Sequence, residues 1–124
     1  MGQERGSAMV ATAFLVLLLL LHSEPASAAT YTVGNAGGWT INVASWPKGK
    51  RFRAGDTLVF NYATGVHNVV AVNKAGYKTC KTPKGAKVYQ TGKDQIKLAK
   101  GLNFFICNFP GHCESGMKIA VNAI

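Results

Sequence analysis

The chain has 124 residues, 48% of them hydrophobic, with 14 Lys and Arg against five acidic residues and a formal charge of +9. That length suits one domain rather than several. The positive charge suggests nucleic acid, but the basic residues are scattered apart from Lys48, Lys50, Arg51 and Arg53 and lack the aromatic interleaving of a recognition motif, so nucleic acid is not an expected partner.

The first segment reads as a secretory leader. Glu4 and Arg5 precede an apolar run from Ala8 to Leu21 with six leucines, and Ala26-Ser27-Ala28 supplies small residues for cleavage. The run is about 14 residues, short of the ~20 that a spanning helix needs. The expected division is therefore a signal peptide over 1–28 and one domain over 29–124, released as a soluble secreted monomer. The C-terminal Met117-to-Ile124 stretch carries no polar spacer and long apolar tail, so neither a lipid nor a membrane anchor is expected. Without Glu4, Arg5 and Glu24, the domain keeps 13 basic residues against Asp56, Asp94 and Glu114, a formal charge of +10. Such a surface suits anionic extracellular polymers or an acidic partner, and equally suits plain solubility.

The domain reads as β-rich. Strands are expected at Thr30–Val33, Asp56–Tyr62, His67–Val72, Val88–Tyr89, Gln95–Leu98, Leu102–Cys107 and Met117–Val121, separated by Gly- and Asn-bearing turns. The spacing predicts an all-β sandwich or barrel. Gly34 to Gly38 lacks the Gly-Lys-Ser/Thr ending of a phosphate loop and reads as an ordinary loop. Short helical turns are expected around Val43–Trp46 or Asn73–Thr79. Trp39 and Trp46 read as packing residues.

Chemistry concentrates near the C-terminus, in Cys107-Asn-Phe-Pro-Gly-His112-Cys113-Glu-Ser-Gly-Met117. Thiolate, imidazole and thioether arrive within eleven residues, and a second imidazole, His67, opens a distant strand. Thiolate and thioether favour copper(I), imidazole accepts copper in both oxidation states, and two His, one Cys and a weak axial Met mark an electron-transfer copper site. The reading assigns one copper ion to His67, Cys107, His112 and Met117. Zinc on His67, Cys107, His112 and Cys113 is a rival, as is a buried thiol with incidental histidines. The zinc arrangement leaves Cys80 unpaired outside the cell, and neighbours in an extended segment point to opposite sides. With copper on Cys107, Cys80 and Cys113 are left to pair. A Cys80–Cys107 bond is the competing connectivity, and it would destroy the site.

These residues, Gly65-Val66-His67-Asn68-Val69 together with Cys107-x₄-His112-Cys113-x₃-Met117, resemble those of the phytocyanins, the plant blue-copper branch of the cupredoxins. Met117 where the stellacyanin branch has Gln, the basic charge, and the missing Pro/Ser-rich tail resemble the plantacyanin, or basic blue protein, subgroup. Gly37-Gly38-Trp39 and Trp46-Pro47-Lys48-Gly49-Lys50 extend the likeness along the domain. The resemblance implies a Greek-key cupredoxin sandwich of two sheets, a Cys80–Cys113 bridge, and copper (Cu+/Cu2+) on His67, Cys107, His112 and Met117. It also implies that Asn68 ties the two ligand loops together, its backbone amide near the Cys107 sulfur, and an apoplast or cell-wall location.

The leading expectation is one-electron transfer with no substrate turnover. Neither paired carboxylates nor a nucleophile triad is present, so no enzymatic activity is expected. The alternative is an extracellular wall-binding or signalling module, for example in plant reproduction, in which redox activity is secondary. Copper storage or delivery would favour a more labile, exposed set of thioether ligands. An oxidase would need further copper ligands, and the histidines are exhausted.

Overall fold

The computed structural model describes residues 27–124. The expected leader over 1–28 therefore lies, but for Ser27 and Ala28, outside the described residues. Seven strands run β1 (Thr30–Thr32), β2 (Thr57–Asn61), β3 (Val69–Val72), β4 (Val88–Tyr89), β5 (Lys93–Lys97), β6 (Gly101–Ile106) and β7 (Lys118–Ala123), with one helix, α1 (Lys74–Thr79), between β3 and β4. Three strands form a sheet in the order β1-β2-β5, and four form a second in the order β4-β3-β6-β7. The β1–β2 pair is parallel and the other pairs are antiparallel.

Side-chain alternation explains the sandwich. Ile119, Val121 and Ala123 of β7 are buried on one face, and β5 buries Asp94 and Ile96 while Lys93, Gln95 and Lys97 face water. Period-two patterning of this kind turns one face of each sheet inward. The main core includes Trp39, Leu58, Phe60, Phe105, Ile119 and Val121. Phe60 of β2 meets Phe105 of β6 edge-on at 5.2 Å between ring centroids, joining the two sheets, and Trp39 packs on Phe60 at 5.0 Å. A smaller cluster of Val70, Ile106 and Cys113 lies with Tyr77 and Cys80 of the α1 region. The second sheet is thus covered near its centre on both sides.

The helical turn expected at 73–79 is α1. Asn73 caps it, its side chain accepting from the Gly76 N–H at 2.8 Å. The stretch Val43–Trp46 is instead a succession of turns, with Trp46 N–H donating to the Val43 carbonyl and Lys48 N–H to that of Ser45. Pro47 explains the difference, because the residue before a proline is pushed away from helical backbone. The Gly34–Gly38 loop contains a short 3-10 turn at Asn35–Gly37. At Gly38 a Cβ would fall 2.7 Å from the Asn61 carbonyl oxygen, so only glycine lets the chain enter there and deliver Trp39 to the core.

Candidate metal centre

Strand register carries His67 to the C-terminal ligand loop. Val70 of β3 pairs with Ile106 of β6. Extending that antiparallel register by two residues sets Asn68 opposite Asn108, with His67 one residue beyond. Likewise Ile106 pairs with Lys118 of β7, so the next pair along is Cys107 and Met117. The Cys107 N–H donates to the Met117 carbonyl at 3.0 Å.

Between them the chain folds into consecutive turns. The His112 N–H donates to Phe109, Met117 to His112, and Gly116 to Cys113. From outside, the Asn42 and Val43 N–H groups donate to the carbonyls of Ser115 and Gly116. Cys113 is bonded to Cys80 with the Cα atoms 5.6 Å apart, which ties the residue after His112 to the end of α1. This pairing leaves Cys107 as the free thiol among the described residues.

The result is a convergence of three donors. His67 Nδ1 lies 3.1 Å from His112 Nδ1, and Cys107 Sγ lies 3.6 Å from the same His112 nitrogen. All three ligand atoms fall within 4.8 Å of one another. Donors that share one ion at bond lengths of about 2.0–2.3 Å have such separations, so this trio fits a single metal ion. Cys113, spent in the disulfide, is withdrawn from any Cys₂His₂ zinc arrangement. Cys107 and Met117 are fully buried in the same apolar cluster, while the two histidines are half-buried. Burial first, and then the neighbouring His112, hold the His67 pKa below its ordinary 6.5. At neutral pH its ring is therefore uncharged, with a lone pair free to bind.

The surroundings hold these donors in place. Asn68 is 5% exposed, and its side chain bonds Asn108 twice: Oδ1 accepts from the Asn108 N–H at 3.0 Å, and Nδ2 donates to Asn108 Oδ1 at 2.6 Å. The tie between the two loops expected of Asn68 thus runs through its carboxamide. Two partners in it were missed in the sequence. Asn108 gave no signal beyond its place next to Cys107. Trp39, read as packing alone, donates its indole N–H to the Asn68 carbonyl at 2.8 Å. Phe109 stacks on His112 with ring centroids 5.8 Å apart. Tyr62, packed against the core cluster that includes Cys107 and Met117, donates to Asp94, and burial followed by that carboxylate pushes its pKa up to about 12.

Replacing Asn68 with alanine should cost about 2 kcal/mol, because two hydrogen bonds worth about 1 kcal/mol each are lost, the exposed Asn108 turning to water in their place. Denaturant unfolding of the metal-free protein measures this directly. A change under ~0.5 kcal/mol, the size of an ordinary surface substitution, would show that the bridge does not hold the loops.

A two-sheet β-sandwich that gathers one cysteine sulfur and two imidazoles at one end defines a small metal-binding domain of the cupredoxin class. The chain belongs to the plastocyanin-like domain family, whose pattern matches residues 39–117. It is 70% identical over 96 residues to the basic blue protein of Cucumis sativus, covering 77% of this chain and all of that protein. Among solved structures, it superposes on the cucumber basic protein, a blue copper protein, with a TM-score of 0.76 at 69% identity, covering 77% of this chain and 99% of that one. Spinach plantacyanin matches with a TM-score of 0.65 at 58% identity over 70% of this chain and 94% of that one. The expected cupredoxin-like sandwich with one disulfide, and the likeness to the plantacyanin subgroup, are borne out.

Proposed function

We propose that this chain is a secreted one-electron carrier holding a single copper ion on His67, Cys107, His112 and Met117. The observation that carries the reading is the 3.1 and 3.6 Å convergence of two imidazole nitrogens and a buried thiol, the soft and borderline donor set that copper prefers. Support for Met117 comes from its complete burial beside Cys107 and from the backbone hydrogen bond that joins the two residues. When bound, copper supplies a reversible Cu+/Cu2+ couple.

The chain's own contribution is rigidity. The disulfide, the Asn68–Asn108 bridge and the outer clamp from Asn42 and Val43 keep the donors at fixed separations. A donor set that cannot rearrange keeps the structural change between oxidation states small. His112 and Phe109 are half-buried, and Pro110 and Gly111 are exposed, so the imidazole edge is the short route from the site to a partner's surface. The basic charge steers acidic partners toward the protein.

Secretion is supported by the leader pattern of residues 1–28 and by the disulfide, which requires an oxidising compartment. The 96 residues over which the full cucumber protein aligns equal the length expected after cleavage at Ala28. No helix among the described residues is long and apolar enough to cross a membrane.

The visible spectrum of the oxidised, copper-loaded protein tests the reading. An intense thiolate-to-copper band supports it, and a colourless protein with tightly bound metal overturns it. Met117→Gln should then lower the reduction potential while retaining copper, because an oxygen donor favours copper(II) over a weak thioether. Voltammetry showing equal potentials would remove Met117 from the ligand set.

A further inference from the structure

Strand β1 begins beside a carboxylate. The Ala29 nitrogen donates to Asp56 Oδ1 at 2.9 Å, while Asp56 Oδ2 accepts from the Arg53 N–H at 2.9 Å. The Ala29 carbonyl accepts from the Thr57 N–H at 2.9 Å, which starts the parallel β1–β2 ladder at Thr30 and Thr57. Asp56 is only 3% exposed. Its hydrogen-bond donors among the described residues are thus backbone N–H groups, which carry no formal charge. A nearly buried carboxylate with neutral donors is a costly arrangement, and a cation at one of those donors would relieve it.

The sequence supplies that cation. Ala26-Ser27-Ala28 marks a cleavage site whose product begins at Ala29, and residues 27–30 are exposed. We propose that cleavage between Ala28 and Ala29 installs an ion pair, the new α-ammonium of Ala29 replacing a neutral amide as the donor to Asp56. In the hydrolysis the C–N bond of the Ala28–Ala29 peptide breaks. The water oxygen goes to the Ala28 carbonyl carbon, which leaves as a carboxylate, and the Ala29 nitrogen becomes –NH₃⁺. One of its hydrogens meets Oδ1. The others face the pocket bordered by Tyr31, Arg51, Arg53 and Asp56, which departure of Ser27 with the leader opens further to water.

Arg51 and Arg53 repel the ammonium, but both are exposed, so solvent screens their charge. The carboxylate at hydrogen-bond distance prevails. Asp56 thereby anchors the mature N-terminus to β2, and processing strengthens the fold as well as releasing the chain. This inference does not depend on the metal.

N-terminal acetylation separates the charge from the hydrogen bond, since an acetylated Ala29 still has an N–H to donate, as the precursor does. The full 29–124 protein, with a free or acetylated terminus, is unfolded by denaturant in one metal state. Acetylation should raise the unfolding equilibrium constant roughly tenfold, the difference between a charged and a neutral hydrogen bond at a buried acceptor. In the Asp56→Asn background the same acetylation should change it less than twofold. Equal effects in both backgrounds, or none with Asp56 intact, would overturn the pairing. If Asp56→Asn does not fold, the wild-type comparison still decides. Intact mass of the protein secreted from plant cells should correspond to a free amine at Ala29, and any other terminus defeats the proposal.

Discussion

Replacing Cys107 with serine is expected to abolish the intense visible absorption of the copper-loaded protein while the domain stays folded. Cys107 is the free thiol of the described residues, and its sulfur is one of three converging donors. A serine hydroxyl does not ionise at neutral pH and offers no comparable charge-transfer partner, so the band should vanish rather than shift. The fold should survive because the position is fixed through its backbone, by the hydrogen bond from its N–H to the Met117 carbonyl. Burying a hydroxyl in place of a thiol costs about 1–3 kcal/mol, below the 5–15 kcal/mol typical of a domain. Absorption and circular dichroism on one sample give both answers. A variant that kept the band would remove Cys107 from the site. The same folded variant also divides electron transfer from signalling: full biological effect without the thiolate would defeat the electron-carrier reading and leave the fold untouched.

Removing the disulfide should have the opposite signature, a large loss of stability with the ligand residues intact. Cys80 and Cys113 are 33 residues apart, and opening a loop of that size costs about 4 kcal/mol on the chain-entropy estimate. That is a large share of a small domain's stability. Cys113 is also 1% exposed and packs with Val70 and Ile106, so two serines there add unfavourable burial. The Cys80→Ser, Cys113→Ser double variant leaves no unpaired partner for Cys107, which keeps the comparison clean. Its denaturation midpoint should fall well below that of the parent, and copper should dissociate faster because His112 adjoins the released residue. A midpoint within the error of the parent's would show that the bond is incidental to the loop.

The donor set was legible because it is chemical and mostly local. Cys107, His112 and Met117 lie within eleven residues, and the first of the turns between them is written in Pro110-Gly111. Alternation likewise placed all seven strands to within two residues or so, and the departures are informative. His67 and Asn68 precede β3 instead of beginning it, since their side chains serve the site and Asn108. Asp56 stands outside β2 because its carboxylate receives the Arg53 and Ala29 nitrogens.

What the residues alone determined was the fold class, the kinds of ligand and their likeness to a family of copper proteins. Cysteine pairing stayed open between Cys80–Cys113 and Cys80–Cys107, because sequence separation does not say which thiols come within bonding reach. Only the tertiary structure decided that, together with the Asn68–Asn108 bridge, the Trp39 hydrogen bond and the capture of Ala29 by Asp56. Each joins residues 27 to 40 positions apart. Such contacts follow from strand order and register, the 70-to-106 pairing above all, and register is set by how a whole face buries itself, a property that no short stretch of sequence carries.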